Sequence, residues 1–316
     1  MKTSHIFRYL AIALLVVVAL LAAGVAASWA PDVPVESLKA RWADAPSQFV
    51  AVDGMQVHLR DEGPRDDPNP IVLLHGTSAS LHTWEGWAQA LRGQRRVIRF
   101  DLPGYGLTGP HPRKAYGIDQ DYPQFVLAVL GQLKVQRFVL AGNSLGGQIA
   151  WHTALVAPQR VGKLILVDSG GFPKESTSVP LAFQIARIAA LAPLMRNVLP
   201  RSLIESSLRN VYGQPEKVTP ELVDLFYGMA RREGNREALN ARMQRGYLSD
   251  TSRLADIKTP TLILWGGQDR LIPPSHGERF ERAIAGSKRV VFAQLGHVPH
   301  EEDAAQTVAA VQQFLK

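Results

Sequence analysis

The segment Ala141–Ala150, AGNSLGGQIA, places one serine, Ser144, among three glycines directly after an apolar run. A glycine-rich turn between a strand and a helix either binds a phosphate or holds a serine exposed at a sharp bend. The segment lacks the lysine of a Walker-type loop and the spacing Gly-x-Gly-x-x-Gly of a dinucleotide site. It does contain Gly142-x-Ser144-x-Gly146, which sets the serine hydroxyl near the N-terminus of the following helix. This spacing predicts a nucleophilic serine.

A serine hydroxyl is a weak nucleophile and requires a base and an acid that orients the base. Downstream of Ser144, Asp269 follows the apolar run Thr261–Trp265, and His297 follows the run Arg289–Ala293. The carboxyl ends of parallel strands gather at one edge of a sheet, so we expect the three side chains to converge. Their order along the chain is also the one expected for this arrangement. We predict that Ser144 is the nucleophile, His297 the general base and Asp269 the orienting acid.

The tetrahedral intermediate of such a reaction requires two backbone N–H donors. The expected donors are Leu145, which follows the nucleophile, and Thr77, which follows His75 and Gly76 after the apolar run Ile71–Leu74. His75 is a candidate second base, but its place in this loop favours a structural role. Asp101, at the end of another apolar run, is expected to shape its loop rather than to contact substrate.

The rest of the chain must position these residues. From Val50 onward, short apolar runs alternate with segments of helical spacing, which predicts an α/β fold: a mostly parallel, doubly wound sheet of about eight strands. Asp53-Gly54 predicts a hairpin turn between strands at 49–52 and 55–59. Buried strands are expected at 71–74, 97–100, 138–141, 164–167, 261–265 and 289–293. The apolar residues at 304, 308, 311 and 315 predict a closing helix.

More than ninety residues between Val167 and Thr261 contain no convincing strand. A connection of this length is expected to be structured, often as a lid. We therefore predict an N-terminal segment (1–30), a sheet domain (31–169 and 251–316) and an inserted helical cap (170–250). The stretch Leu181–Leu199 is apolar on nearly every side and is interrupted by Pro193. Its first helix either packs on the core, or lines an acyl pocket or touches a membrane.

The N-terminal segment contains eighteen successive apolar or small residues, Leu10–Ala27, preceded by Lys2 and Arg8. This run exceeds the core of an ordinary signal peptide and is long enough to cross most of a bilayer. The positive flank predicts that the start of the chain stays cytoplasmic while the remainder is exported. We expect a membrane anchor with the catalytic domain on the periplasmic or lumenal side. Secretion after signal cleavage is the alternative, because small residues follow the run.

Composition excludes several classes of function. The chain has 316 residues and a net charge of +7 without a dense Lys/Arg block, so we expect a solvated basic surface and no nucleic-acid partner. It has no cysteine, which removes disulfides, thiolate catalysis and cysteine-based metal sites. The nine histidines show no ligand spacing, so neither a metal nor an organic cofactor is expected. The oligomeric state stays open.

From Val50 to Lys316 the chain resembles the α/β-hydrolase fold superfamily. Within it, the chain is similar to cap-bearing, membrane-anchored enzymes of the monoacylglycerol-lipase type and to bacterial carbon–carbon-bond hydrolases of aromatic degradation. Haloalkane dehalogenases and epoxide hydrolases place Asp where this chain has Ser144, which disfavours both activities. The resemblance is carried by His75-Gly76-Thr77, Asp101-Leu102-Pro103-Gly104-Tyr105-Gly106, Gly142-Asn143-Ser144-Leu145-Gly146-Gly147, Trp265-Gly266-Gly267-Gln268-Asp269 and Gly296-His297-Val298-Pro299-His300.

The resemblance implies a serine esterase or lipase that acts on a small hydrophobic ester through an acyl-enzyme intermediate. Three alternatives stay open: a carbon–carbon bond hydrolase of the meta-cleavage type, a cofactor-free perhydrolase or haloperoxidase, and a silent small-molecule receptor. The loop from His75 to Ser78 lacks the Gly-Pro-Gly run that is common in the carbon–carbon hydrolases, which disfavours the first alternative. The residues that contact substrate and the acyl chain length are not predicted.

Overall fold

The structure, a computed structural model, describes residues 2–113, 116–173, 175–245 and 250–316. Within these residues, eight strands form one sheet: β1 Ser47–Val52, β2 Met55–Glu62, β3 Ile71–Leu74, β4 Val97–Phe100, β5 Phe138–Asn143, β6 Val161–Val167, β7 Thr261–Gly266 and β8 Lys288–Phe292. The α-helices there are α1 Lys2–Ala27, α2 Val35–Trp42, α3 Glu85–Leu91, α4 Asp121–Gln132, α5 Leu145–Val156, α6 Leu181–Ala186, α7 Ala192–Met195, α8 Arg201–Val211, α9 Pro220–Arg231, α10 Asn235–Arg245, α11 Pro274–Ala283, α12 Pro299–Glu302 and α13 Ala304–Leu315.

The strand order in the sheet is β1-β2-β4-β3-β5-β6-β7-β8. The first two strands form the predicted hairpin, and β2 also pairs antiparallel with β4; the remaining pairs are parallel. Asp53 and Gly54 have φ values of 50° and 77°, the positive values that a two-residue hairpin turn of this kind requires. The mostly parallel α/β sheet predicted from the sequence is confirmed.

Two apolar layers cover the sheet, one on each face. On one face, α4, α5 and α11 pack through buried side chains that include Phe125, Ile149 and Phe280. On the other face, α3 and α13 pack through Trp87 and Val311, among others. Helices on both sides explain why the central strands are buried along their whole length and read as continuous apolar runs.

The connection between β6 and β7 contains helices α6 to α10. The apolar stretch Leu181–Leu199 is not one helix, because α6 ends at Ala186 and Ile188 adopts an extended conformation. Pro193 does not cause this break. It lies in the first turn of α7, where its missing N–H removes no helical hydrogen bond.

Helix α1 has the length and composition of a membrane-spanning helix. Its segment His5–Ala27 contains a stretch with a mean hydropathy of 2.9, and none of that stretch is buried. The chain continues directly into a packed segment: the N–H of Ala30 donates to the carbonyl of Asn197, and the N–H of Leu199 donates to the carbonyl of Ser28. Ala30 is buried against Leu199 and its neighbours, so the segment after α1 belongs to the packed body.

The loops after β7 and β8 meet through two glycines. A Cβ on Gly266, the last residue of β7, would lie 1.8 Å from the carbonyl oxygen of Gly296. The oxygen belongs to the backbone and a Cβ has a position fixed by the backbone, so no side-chain rotation relieves such a contact. The absence of a side chain at Gly266 therefore sets how closely the two loops approach.

We expect Gly266→Ala to lower the free energy of unfolding by about 1–3 kcal/mol or more, because the added methyl group forces backbone apart. Gly131→Ala is the matched control: Gly131 lies in α4, and a Cβ there meets nothing within 4 Å. That substitution should raise stability by about 0.5–1 kcal/mol. Urea unfolding of the full-length protein in detergent measures both. Equal stability of the two variants would contradict the prediction.

Candidate active site

Ser144 lies between β5 and α5 with an unusual backbone conformation. Its φ is 55° and its ψ is −112°, values that residues other than glycine rarely adopt. The N–H of Ser144 donates to the carbonyl of Val167 at 3.0 Å, and the carbonyl of Ser144 accepts from the N–H of Gly170 at 2.9 Å. Both partners lie at or just after the end of β6, so the neighbouring strand holds the bend in place.

The glycines around Ser144 allow the backbone to turn this sharply. A Cβ on Gly142 would lie 2.2 Å from the carbonyl oxygen of Gly146. A Cβ on Gly146 would lie 2.2 Å from the carbonyl oxygen of Leu74, in β3. Any side chain at either position would displace backbone, which is the physical reason for the spacing Gly-x-Ser-x-Gly.

His297 and Asp269 form a buried pair at the same edge of the sheet. The distance from His297 Nδ1 to Asp269 Oδ2 is 2.7 Å. The other carboxylate oxygen of Asp269 accepts from the backbone N–H groups of Leu271 and Ile272, at 2.8 and 2.9 Å. A carboxylate with fixed orientation at Nδ1 selects the tautomer in which Nε2 carries no proton and can act as an acceptor.

Ser144 and His297 both line one cavity of about 170 Å³. Both residues are described by the structure, and no hydrogen bond joins Ser144 Oγ to His297 Nε2. Hydrogen bonds of this kind are often long in the absence of substrate and tighten in the complex. The structure therefore brings the predicted nucleophile and base to one cavity.

Thr77 and Leu145, the predicted oxyanion donors, line the same cavity. Leu145 is the first residue of α5, where backbone N–H groups have no partner within the helix and the helix dipole favours negative charge. In the part of the chain that the structure describes, neither the Thr77 N–H nor the Leu145 N–H donates to a protein acceptor. Two free donors on the wall beside Ser144 are what an oxyanion requires.

His75 and Asp101 both form hydrogen bonds within the fold. The Nδ1–H of His75 donates to the carbonyl of Gly76, and its Nε2 accepts from the N–H of Leu102. Burial lowers the pKa of His75, which favours the neutral ring. Asp101 accepts hydrogen bonds from two backbone N–H groups and from His58. These bonds agree with the structural roles expected from the sequence.

Two residues that sequence reasoning did not single out hold the His297 loop. The amide nitrogen of Asn143 donates to the carbonyls of Val167 and His297, at 3.2 and 3.0 Å. The carboxylate of Glu302 accepts from the N–H of Gly296 and from two N–H groups after α8. In the sequence, the only indication of a role for Asn143 was its position next to Ser144, and nothing indicated a role for Glu302.

Asp168, directly after β6, is a further residue that the sequence did not reveal. One of its carboxyl oxygens accepts from the N–H of Gly266 at 3.0 Å, and the other is buried without a donor. Burial and the neighbouring Asp269 carboxylate raise the pKa of Asp168 well above its usual range. One atom each of Asp168, Asp269 and His297 lie within 4.8 Å of one another, close enough to hold a metal ion. A metal would have to replace the Asp269–His297 hydrogen bond.

The remainder of the cavity wall is mainly apolar. The helices between β6 and β7 supply a large part of this wall. The first apolar stretch of that connection therefore lines the cavity. The apolar residues contributed there include Phe183, Ala186, Met195, Leu199, Leu203, Leu208 and Phe226.

Comparisons with known proteins agree with this architecture. A family model described as alpha/beta hydrolase fold matches residues 69–304. The chain is 30% identical over 278 residues to a 2-hydroxy-6-oxo-2,4-heptadienoate hydrolase of Pseudomonas putida, covering 85% of this chain and 95% of that relative. It is also 30% identical over 253 residues to the dihydrolipoyllysine-residue acetyltransferase component of the acetoin cleaving system of Pseudomonas putida, covering 78% of this chain but only 63% of that relative.

Among solved structures, a thermophilic esterase from Thermogutta terrifontis superposes with a TM-score of 0.69 at 25% identity, covering 85% of this chain and 96% of that chain. The family match spans most of the chain, and it includes the turn at Ser144 and the loops that carry Asp269 and His297. The chain belongs to the α/β-hydrolase fold family and is a hydrolase.

Proposed function

We propose that this protein is a serine hydrolase that cleaves carboxylic esters through Ser144, His297 and Asp269. One observation carries the proposal: a buried Asp269–His297 hydrogen bond of 2.7 Å lies on the same cavity as a serine with a φ of 55°. The esterase neighbour at 25% identity supports an ester substrate. No metal or cofactor takes part in the proposed reaction.

The proposed reaction has two halves. His297 Nε2 removes the Ser144 proton while Oγ attacks the acyl carbonyl, and the Thr77 and Leu145 N–H groups stabilise the oxyanion. The imidazolium then gives its proton to the departing alcohol, which leaves an acyl-enzyme. Water, activated by His297, attacks the acyl carbon and releases the acid. Asp269 stabilises the imidazolium in both halves.

We also propose that the substrate is hydrophobic and that the enzyme meets it at a membrane. The stretch that contains α6 and α7 supplies apolar side chains to the cavity, while Leu181, Ile188 and Leu194 are exposed by 54%, 49% and 46%. Trp29, just after α1, is exposed by 58% and pairs with Val198. An apolar surface next to a membrane-spanning helix suits contact with lipid.

In this proposal α1 anchors the protein, and residues 170–250 form a cap over a catalytic domain at 31–169 and 251–316. The positive charges before the apolar run support a catalytic domain on the periplasmic or lumenal side. Secretion after cleavage of the N-terminal segment is the alternative. The packing of Ala30 against the cap helices favours retention of the segment that follows α1.

Carbon–carbon bond hydrolysis is the second candidate, because the relative that is 30% identical over 95% of its length acts on a dienoate. Such a substrate carries a carboxylate, and both Glu301 and Arg236 line the cavity, so the charges of the wall do not separate the two candidates. The two candidates are distinguished by offering the wild-type enzyme a 2-hydroxy-6-oxo-dienoate and a series of p-nitrophenyl esters. We expect turnover of the esters; turnover of the dienoate alone would establish the second candidate.

We expect Ser144→Ala to lower kcat for esters by a factor on the order of 10⁴–10⁶, because the variant lacks the hydroxyl group that forms the acyl-enzyme. The full-length protein in detergent is assayed with esters of increasing acyl chain length. Ser206→Ala, at an exposed serine on α8, is the matched control and should retain wild-type activity. Labelling of the wild type by a fluorophosphonate, but not of Ser144→Ala, identifies the nucleophile. Full activity of Ser144→Ala would refute the proposal.

Asp269→Asn should reduce kcat by about 10⁴, because the amide favours the wrong tautomer of His297. The hydrogen bonds from Leu271 and Ile272 to Oδ1 can persist, so the fold should be retained. Asp256→Asn, at an exposed carboxylate, is the control. Steady-state kinetics of both variants decide the role of Asp269, and a loss below tenfold would exclude it as the orienting acid.

A further inference from the structure

Asp168 lies directly after β6, at the edge of the sheet that carries the predicted triad. It is buried, and its φ of 44° lies in the left-handed region that residues other than glycine seldom adopt. Two hydrogen bonds to β7 hold it there. Its N–H donates to the carbonyl of Leu264, and its Oδ1 accepts from the N–H of Gly266, both at 3.0 Å. The fold therefore fixes the position of this carboxyl group.

The carboxyl groups of Asp168 and Asp269 lie close together without a cation between them. One atom of each lies within 4.8 Å of the other and of one atom of His297. In the described ranges, no lysine or arginine forms an ion pair with either carboxyl group, and Glu302 is a further acid nearby. Two anions this close in a buried site repel each other strongly, so one member of the pair is expected to hold a proton.

The hydrogen bonds around the pair indicate which carboxyl group holds the proton. Both oxygens of Asp269 accept: Oδ1 from two backbone N–H groups, and Oδ2 from Nδ1 of His297. Asp168 has one donor, the N–H of Gly266, while its Oδ2 is buried without a donor among the residues described. Because donors favour the ionised form of a carboxyl group, the proton belongs on Asp168. Burial and the Asp269 carboxylate accordingly raise the pKa of Asp168 well above its usual range.

A protonated Asp168 explains why its Oδ2 has no donor. The O–H of a neutral carboxyl group is itself a donor and needs an acceptor. The neighbouring carboxyl group of Asp269 provides one. A hydrogen bond from an O–H to a carboxylate is assisted by the charge and is stronger than one between neutral groups. Such a bond would fix the plane in which the Asp269 carboxylate meets His297.

We propose that Asp168 is a positioning residue that donates a hydrogen bond from its protonated carboxyl group to Asp269. The pair then carries a single negative charge, which Asp269 directs to Nδ1 of His297. Asp168 is not part of the cavity wall, so it acts through Asp269 and not on the substrate. Its role requires a donor and not a charge. This inference rests on the serine-hydrolase function proposed above.

The test first exchanges the carboxylic acid for a neutral donor and then removes the donor. Asp168→Asn keeps an oxygen that accepts from the Gly266 N–H and gains an NH₂ group that donates to Asp269. Asp168→Ala has neither group. Asp256→Asn and Asp256→Ala, at an exposed carboxylate, are the matched controls. For each full-length variant in detergent, we measure kcat/KM for p-nitrophenyl butyrate and follow thermal unfolding to show that the variant is folded.

We expect Asp168→Asn to keep kcat/KM within about threefold of the wild-type value, because its amide supplies an equivalent donor. Asp168→Ala should lower kcat/KM by about 10- to 100-fold, the effect of losing one hydrogen bond to a charged group. Asp269→Asn, which removes the charge itself, should be far less active than Asp168→Asn. If Asp168→Ala does not fold, the contrast between the two asparagine variants decides.

Infrared spectroscopy detects the proton directly and does not depend on activity. A protonated carboxyl group absorbs at a higher frequency than a carboxylate. The difference spectrum between the wild type and Asp168→Asn at neutral pH should therefore contain a carboxylic acid band, and the difference spectrum for Asp256→Asn should contain none. Glu301, whose pKa burial raises to about 7, contributes equally to both spectra and cancels.

Three results would overturn the inference while the serine-hydrolase function stands. An Asp168→Asn variant as inactive as Asp269→Asn would make Asp168 an ionised second orienting acid. Wild-type activity of Asp168→Ala would show that the donor has no role. Absence of the infrared band would show that Asp168 holds no proton.

Failure of the proposed function gives a different result. A wild type that hydrolyses no ester and is not labelled at Ser144 by a fluorophosphonate would refute the serine-hydrolase function, and with it the role of Asp168 in that reaction. The infrared band would then still show whether Asp168 holds the proton.

Discussion

The site depends on holding Ser144 in a backbone conformation that a serine does not adopt on its own. A positive φ at such a residue costs on the order of 1–3 kcal/mol, so the surrounding structure must supply that free energy. It does so through hydrogen bonds to Val167 and from Gly170, and through the close approach of Gly146 to β3. The bend therefore exists only when β3, β5 and β6 are assembled. The exposure of the nucleophile therefore depends on the assembly of the sheet and not on the local sequence alone.

This dependence explains what the sequence revealed and what it did not. The parallel strands lie within three residues of their predicted ends because each contains a short apolar run, and the central strands are buried on both faces. Ser144, Asp269 and His297 could be found because each follows such a run. Asp168 also follows one, but its importance comes from contact with Asp269, a hundred residues away in the chain. Contacts of this kind leave no periodic trace in a single sequence.

The cap shows a different limit of sequence reasoning. Between residues 181 and 199 the apolar residues suggested one helix interrupted by Pro193, yet the helix already ends at Ala186. A helix with apolar residues on every side gives no indication of which face is buried. In the structure, some of these side chains line the cavity, while Leu181 and Ile188 are exposed. The side chains of this stretch face both the cavity and an exposed apolar surface. The stretch therefore does not need the spacing of an amphipathic helix.

Three further carboxyl groups surround the Asp269–His297 pair, and each is accommodated differently. Burial and the Asp269 carboxylate raise the pKa of Asp168, which favours its neutral form, whereas Glu302 receives several backbone donors. A second negative charge beside His297 would stabilise the imidazolium and hold the base in its acid form, so a neutral Asp168 keeps His297 available for proton abstraction. Glu301 lines the cavity and accepts from the Tyr212 hydroxyl, and its second carboxyl oxygen is buried without a donor among the residues described. Asp269 and Glu302, which orient and hold His297, accept from backbone N–H groups, whereas Asp168 and Glu301 each keep one buried oxygen without a donor among the residues described.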